Sequence, residues 1–121
     1  MIKSVLPKII SQQQDEKSIT WRLFIDGSLP FFAGHFPEQA VLPGVSQLDW
    51  AVQLGCQAFG YNPSVKNVEV LKFQQLILPN TYVNLTISNN VDKAKITFQF
   101  AEEDRRFASG RIAFNAPALS D

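Results

Sequence analysis

Between Ile19 and Asp26 the chain reads ITWRLFID, and Ile19, Trp21, Leu23 and Ile25 recur with a period of two. That spacing predicts a strand with one buried face. Gly27 and Pro30 close it, and from Ser28 to Leu42 no period holds; Gly34, Pro37 and Pro43 mark this stretch as a loop. The pattern then changes to a helical one over Pro43 to Phe59, PGVSQLDWAVQLGCQAF. Proline suits a first helical turn, where its missing N–H would have had no partner. Gly60 supplies a left-handed stop and Pro63 follows it. Val45, Leu48, Val52, Gly55 and Phe59 are expected to form one apolar stripe, widened by Ala51, Leu54, Cys56 and Ala58. A helix apolar over so much of its circumference is usually buried on most sides.

Four strand-like runs come next: Asn67 to Leu78, Tyr82 to Ser88, Ala94 to Phe100, and Phe107 to Phe114. Val83, Leu85 and Ile87 share a face of the second; Ile96, Phe98 and Phe100 share a face of the third. Asn89-Asn90 and Glu102-Glu103-Asp104 are turn-like or polar connections, and Ile2 to Ile10 can add an edge strand. The expected order is strand, loop, one long helix, then a meander of antiparallel strands. One helix laid on such a sheet is an α+β arrangement.

Composition narrows the functional classes. The 121 residues fit one domain, 1–121, with 45% hydrophobic and 18% charged side chains, so an ordered core is expected. Ten phenylalanines imply a thick core or an apolar surface hidden by a partner subunit. Eleven basic and eleven acidic residues cancel, which leaves no field to hold nucleic acid or an anionic membrane. A single cysteine, Cys56, excludes an internal disulfide and a cysteine-based metal cage. The N-terminal MIKSVLPKII lacks the apolar core of a signal peptide, and no run reaches the ~20 apolar residues of a membrane-spanning helix. A cytoplasmic protein is the expectation.

The chemistry concentrates in FFAGHFPEQAVLPGVSQLDW, Phe31 to Trp50, which holds the only histidine. His35 is flanked by residues that stiffen the backbone and lies just upstream of the helix start. Ser46, Asp49, Gln53 and Gln57 form a narrow polar strip on the helix, and Asp49 is its only charge. A solvated face normally carries Lys and Glu. A lone carboxyl among amides and aliphatics is poorly hydrated, which favours the protonated form that can act as an acid. At Pro43-Gly44 the first turn offers free N–H groups and the positive end of the helix dipole to developing negative charge. Gly44 lets a ligand approach the backbone closely. Taken singly, each has an ordinary explanation: a surface histidine, a solvent stripe, a common Pro-Gly helix start. A base, an acid and an oxyanion site gathered in one short segment point to catalysis.

GHFPEQAVLPGVSQLDW resembles the signature of the 3-hydroxyacyl-acyl carrier protein dehydratases, G-H-F-P-x-x-P-x-x-P-G-V-x-x-x-[E/D]. The His35-to-Asp49 interval and Gln53, four residues after the acid, both match. LKFQQLILPNTYVNLTI is similar to the family's K-F-x-x-x-V-x-P-G-D-x-L stretch. The wording LPGVSQLDWA looks most like the small dehydratases of aryl polyene gene clusters. Departures are Ala40 for a usual proline, Asp49 for the more frequent Glu, Asn80 where Gly is common, and Gln74-Gln75 for basic residues.

The resemblance implies a hot-dog fold, one long helix wrapped by a curved antiparallel β-sheet. It implies a lyase in which His35 and Asp49 are catalytic, the Gly44 N–H holds the substrate carbonyl, and Gln53 supports the acid. Phe31, Phe36, Val41 and Trp50 are the expected walls of an acyl tunnel. A homodimer and an acyl carrier protein are the implied partners, with Lys66, Lys72, Arg105, Arg106 and Arg111 as candidate carrier contacts. No bound cofactor and no metal are expected; the substrate rides on the carrier's phosphopantetheine. A hot-dog thioesterase and a non-catalytic acyl-binding partner subunit are the competing readings.

Overall fold

A computed structural model describes residues 6–28 and 41–115. The elements run β1 (Lys8–Gln14), β2 (Ser18–Ile25), α1 (Gly44–Phe59), β3 (Val65–Phe73), β4 (Thr81–Asn90), β5 (Lys95–Glu102) and β6 (Arg105–Phe114). All six strands join one antiparallel sheet in the order β1-β2-β4-β5-β6-β3. With the one helix among the described residues this is the α+β arrangement that the pattern predicts and the hot-dog fold that the family resemblance implies.

The period-two patterns became aligned rows of core residues. Trp21 faces Leu85, which faces Phe100; Ile19 faces Ile87, which faces Phe98; Ile96 faces Ile112. These residues are buried and belong to one core cluster with Trp50, Ala51 and Leu54 of α1. A Cβ added at Gly55 would come within 2.7 Å of Ile96 Cδ1, so glycine is what lets the helix backbone approach the sheet this closely. Gly60 ends α1 in the left-handed conformation (φ 78°) and donates its N–H to the Cys56 carbonyl, as the sequence predicts.

Four expectations need correction. The buried face of α1 carries Ser46, Gln47, Trp50, Ala51, Leu54, Gly55 and Cys56, not the Val45 stripe. Val45 is 78% exposed, because one helix on one sheet buries the side that carries the bulky Trp50. The meander covers only β4, β5 and β6. Strand β3 pairs with β6 at the far edge instead of with β4. Tight turns join β4–β5–β6, with Ala94 and Glu103 at positive φ, whereas the longer segment 74–80 carries the chain across the fold. The third strand therefore stops at Phe73, not Leu78: the Gln74 and Gln75 N–H groups both donate to the Phe107 carbonyl. The first strand is Lys8–Gln14 rather than Ile2–Ile10. All seven of its residues are exposed, so no apolar alternation reveals its register; residues 1–5 lie outside the described residues.

The outer sheet face is polar. Arg22 makes a two-pronged contact with Glu102 at 3.0 and 2.9 Å, donates to Asn84, and lies over the Tyr82 ring. The Arg22 hydrogen bond holds the Glu102 carboxyl below its ordinary value of 4.5. A carboxyl held down in the folded chain stabilises it fully above the unfolded value, and this contribution fades as pH falls through the folded one. Glu102→Gln should therefore cost about 0.2–1 kcal/mol at neutral pH. Urea unfolding at neutral and acidic pH should show that gap closing in acid; a gap that persists in acid would show that the pair is not its source.

Candidate active site

The Leu42 N–H donates to the Ile77 carbonyl at 2.8 Å, which pins the entry to α1 against the segment leaving β3. Pro43 sits at the N-cap in an extended conformation (φ −62°, ψ 147°), and its carbonyl accepts from the N–H groups of Ser46 and Gln47. No side chain caps this end and no acidic residue occupies the first turn. No side chain therefore offsets the positive end of the helix dipole here.

Beside this helix start runs an apolar groove of about 450 Å³. Val41, Leu42, Pro43, Val45 and Leu48 form one wall; Leu71, Phe73 and Leu76 form the other. The Phe73 ring lies across Gly44, so close that an added Cβ would sit 2.8 Å from Cζ. Gly44 is thus a position of close approach, as its residue type suggests, and the neighbour it admits in the single chain is Phe73.

Asp49 and Gln53 follow on later turns of α1, both half-buried. Their four-residue separation places them together on the helix surface. Val41 lines the groove. Trp50 does not: it is fully buried in the core cluster, because its position turns toward the sheet. His35, Phe31 and Phe36 lie outside the described residues. Of the groove residues, the sequence reading missed Leu71, Phe73 and Leu76. The signal was present in LKFQQLILP, whose apolar residues do not alternate and so cannot all face one core. It also missed Gln47, which is 3% exposed on the helix and lines the same groove.

Among the described residues no group of three or more His, Cys, Asp or Glu is placed to hold a metal ion. Cys56 is buried, and burial pushes its thiol up to about 11, which leaves it unreactive near neutral pH. Lys66, Lys72, Arg105, Arg106 and Arg111 are exposed along β3 and β6. Arg111 stands 3.8 Å from Glu69 and Arg105 lies over the Phe107 ring. No helix of the described residues is long and apolar enough to cross a membrane.

The family of ApeI-like dehydratases matches residues 11–111 of the chain. The chain belongs to this family. Among solved structures, the dehydratase heterocomplex ApeI:P from Xenorhabdus doucetiae superposes with a TM-score of 0.77 at 33% identity, covering 88% of this chain and 96% of that one. An uncharacterized thioester dehydrase of Halalkalibacterium halodurans is 25% identical over 116 residues, or 83% of this chain and 72% of its own. The 3-hydroxyacyl-[acyl-carrier-protein] dehydratase FabZ of Macrococcus caseolyticus is 28% identical over 85 residues; the match spans 64% of this chain and 59% of that relative. The ApeI-like match is the group to which the LPGVSQLDWA wording pointed, and it makes the chain a dehydratase of the hot-dog fold, a lyase.

Proposed function

We propose that the chain removes water from a 3-hydroxyacyl thioester carried on acyl carrier protein and releases a trans-2-enoyl thioester. The observation that carries this reading is the uncapped start of α1 at Gly44, opening on an apolar groove with a half-buried carboxyl further along the same helix. In the mechanism, neutral His35 takes a proton from C2. Protonated Asp49 gives its proton to the C3 hydroxyl, which leaves as water while the C2–C3 double bond forms. The Gly44 N–H holds the thioester carbonyl as enolate charge builds on its oxygen. Gln53 orients the Asp49 carboxyl. A general acid or base step of this kind is worth about 10²–10⁴-fold, and preorganised donors at the oxyanion add to it. No bound cofactor takes part. The carrier's phosphopantetheine arm delivers the acyl group, with the exposed Lys66, Lys72, Arg105 and Arg106 as its docking charges, and the reaction takes place in the cytoplasm.

The working unit is a homodimer in which His35 of one subunit meets Asp49 of the other. Strand β3 supports this: it ends the sheet with one side unpaired, and Leu71 and Phe73 on it are 40% and 51% exposed. A free edge with apolar side chains invites a second strand. Leu71→Arg should convert the dimer to a monomer in light scattering, while an unchanged mass would place the interface elsewhere.

One assay tests the function. A 3-hydroxyacyl thioester is incubated with the protein, and enoyl absorbance is followed alongside free thiol. Enoyl product supports the dehydratase. Free thiol without enoyl product would make it a thioesterase, and neither would make it a non-catalytic acyl-binding subunit.

A further inference from the structure

Gln47 is the one buried side chain among the described residues with a polar atom that lacks a hydrogen-bond partner. The residue is buried, only 3% exposed. Its Nε2 donates to the Leu42 carbonyl at 3.2 Å, which fixes the amide's orientation and leaves Oε1 as the orphan. The residue lines the groove beside Gly44, among Val41, Leu48, Leu71, Phe73 and Leu76. Leucine or methionine would fill this place without stranding an acceptor, so the amide needs a reason to be there.

We propose that Gln47 is a specificity-determining residue whose Oε1 accepts a hydrogen bond from a hydroxyl on the acyl group lying in this groove. The inference rests on the reading of the groove as the acyl site. The walls are apolar, so the matching ligand is mostly hydrocarbon or aromatic. The single orphan is an acceptor, so that ligand brings one donor, placed away from the reacting C2–C3 bond. Gln47 and Asp49 are two residues apart on α1 and therefore point in different directions. The donor that Gln47 meets is thus distinct from the 3-hydroxyl that leaves. Oε1 is itself shielded in the free chain, so meeting the donor takes a swing of the whole amide about its broad terminal torsion, which gives up the 3.2 Å contact of Nε2 with the Leu42 carbonyl.

The test uses the full-length protein and a pair of 3-hydroxyacyl thioesters that differ only at the distal end, one ending in a hydroxyl and the other in a methyl. Wild type should favour the hydroxyl-ended substrate by about tenfold or more in kcat/KM, because a buried polar group left unpaired discriminates against the analogue lacking the donor. Gln47→Leu should bring the kcat/KM ratio of the two substrates to about one, with the change carried by KM on the hydroxyl-ended substrate. Equal wild-type activity on both substrates would overturn the inference and leave the dehydratase reading standing; no turnover of either would sink that reading first. A Gln47→Leu protein that keeps the preference, or that changes only its oligomeric mass, would assign Oε1 to another donor and also overturn it. If Gln47→Leu fails to fold, Gln47→Met carries the same comparison.

Discussion

Asp49→Asn should lower kcat by about 10²–10⁴-fold on a 3-hydroxyacyl thioester, with thermal stability little changed. Asparagine keeps the shape of the half-buried side chain but has no acidic proton to give to the leaving hydroxyl. His35→Ala should cost a similar factor, because no other imidazole exists in the chain to take the C2 proton. The double variant should lose much less than the product of the two, since the groups act on one concerted or tightly linked elimination. Mixing the two single variants gives a sharper check. If base and acid meet across subunits, a mixed dimer regains one intact site, and part of the activity returns. Full activity in either single variant would end the mechanism.

Trp50→Ala should destabilise the protein by about 3–5 kcal/mol, the cost of removing a large aromatic side chain from a packed interior. Trp50 is 0% exposed and sits among Trp21, Leu54 and the strand residues of the core cluster. The sequence placed this residue on the wall of an acyl tunnel, and the two positions make different predictions. A core residue moves the urea midpoint and leaves acyl selectivity of the folded fraction intact. A wall residue moves selectivity with a modest change in stability. Chemical denaturation and a chain-length series on the same variant decide between them.

The parts of this fold that could be read from the sequence are those where one local rule governs. Alternation marked β2, β4 and β5 because each has one face on the core and one in water. Pro43 and Gly60 bracketed α1 because helix ends impose backbone requirements that few residues meet. The position of β3 could not be read, because strand order is set by long-range pairing and β3 carries exposed apolar residues on an edge. The burial of α1 was misjudged for a related reason. Apolar residues cover most of its circumference, so the pattern alone does not say which side meets the sheet and which is left for another surface. The helix start and its carboxyl stood out as candidates because polar residues are rare in that stretch. Gln47 passed unnoticed because an amide on a helix usually faces water.

The contact between the Phe73 ring and Gly44 joins two jobs in one strand. Phe73 is the last residue of β3, the edge of the sheet, and its ring rests on the first residue of the helix. The position of that ring sets how much space remains above the helix amides. If the subunits meet along this edge and the thioester rests above those amides, as proposed, a substitution that shifts the ring would alter resistance to dilution and turnover number together.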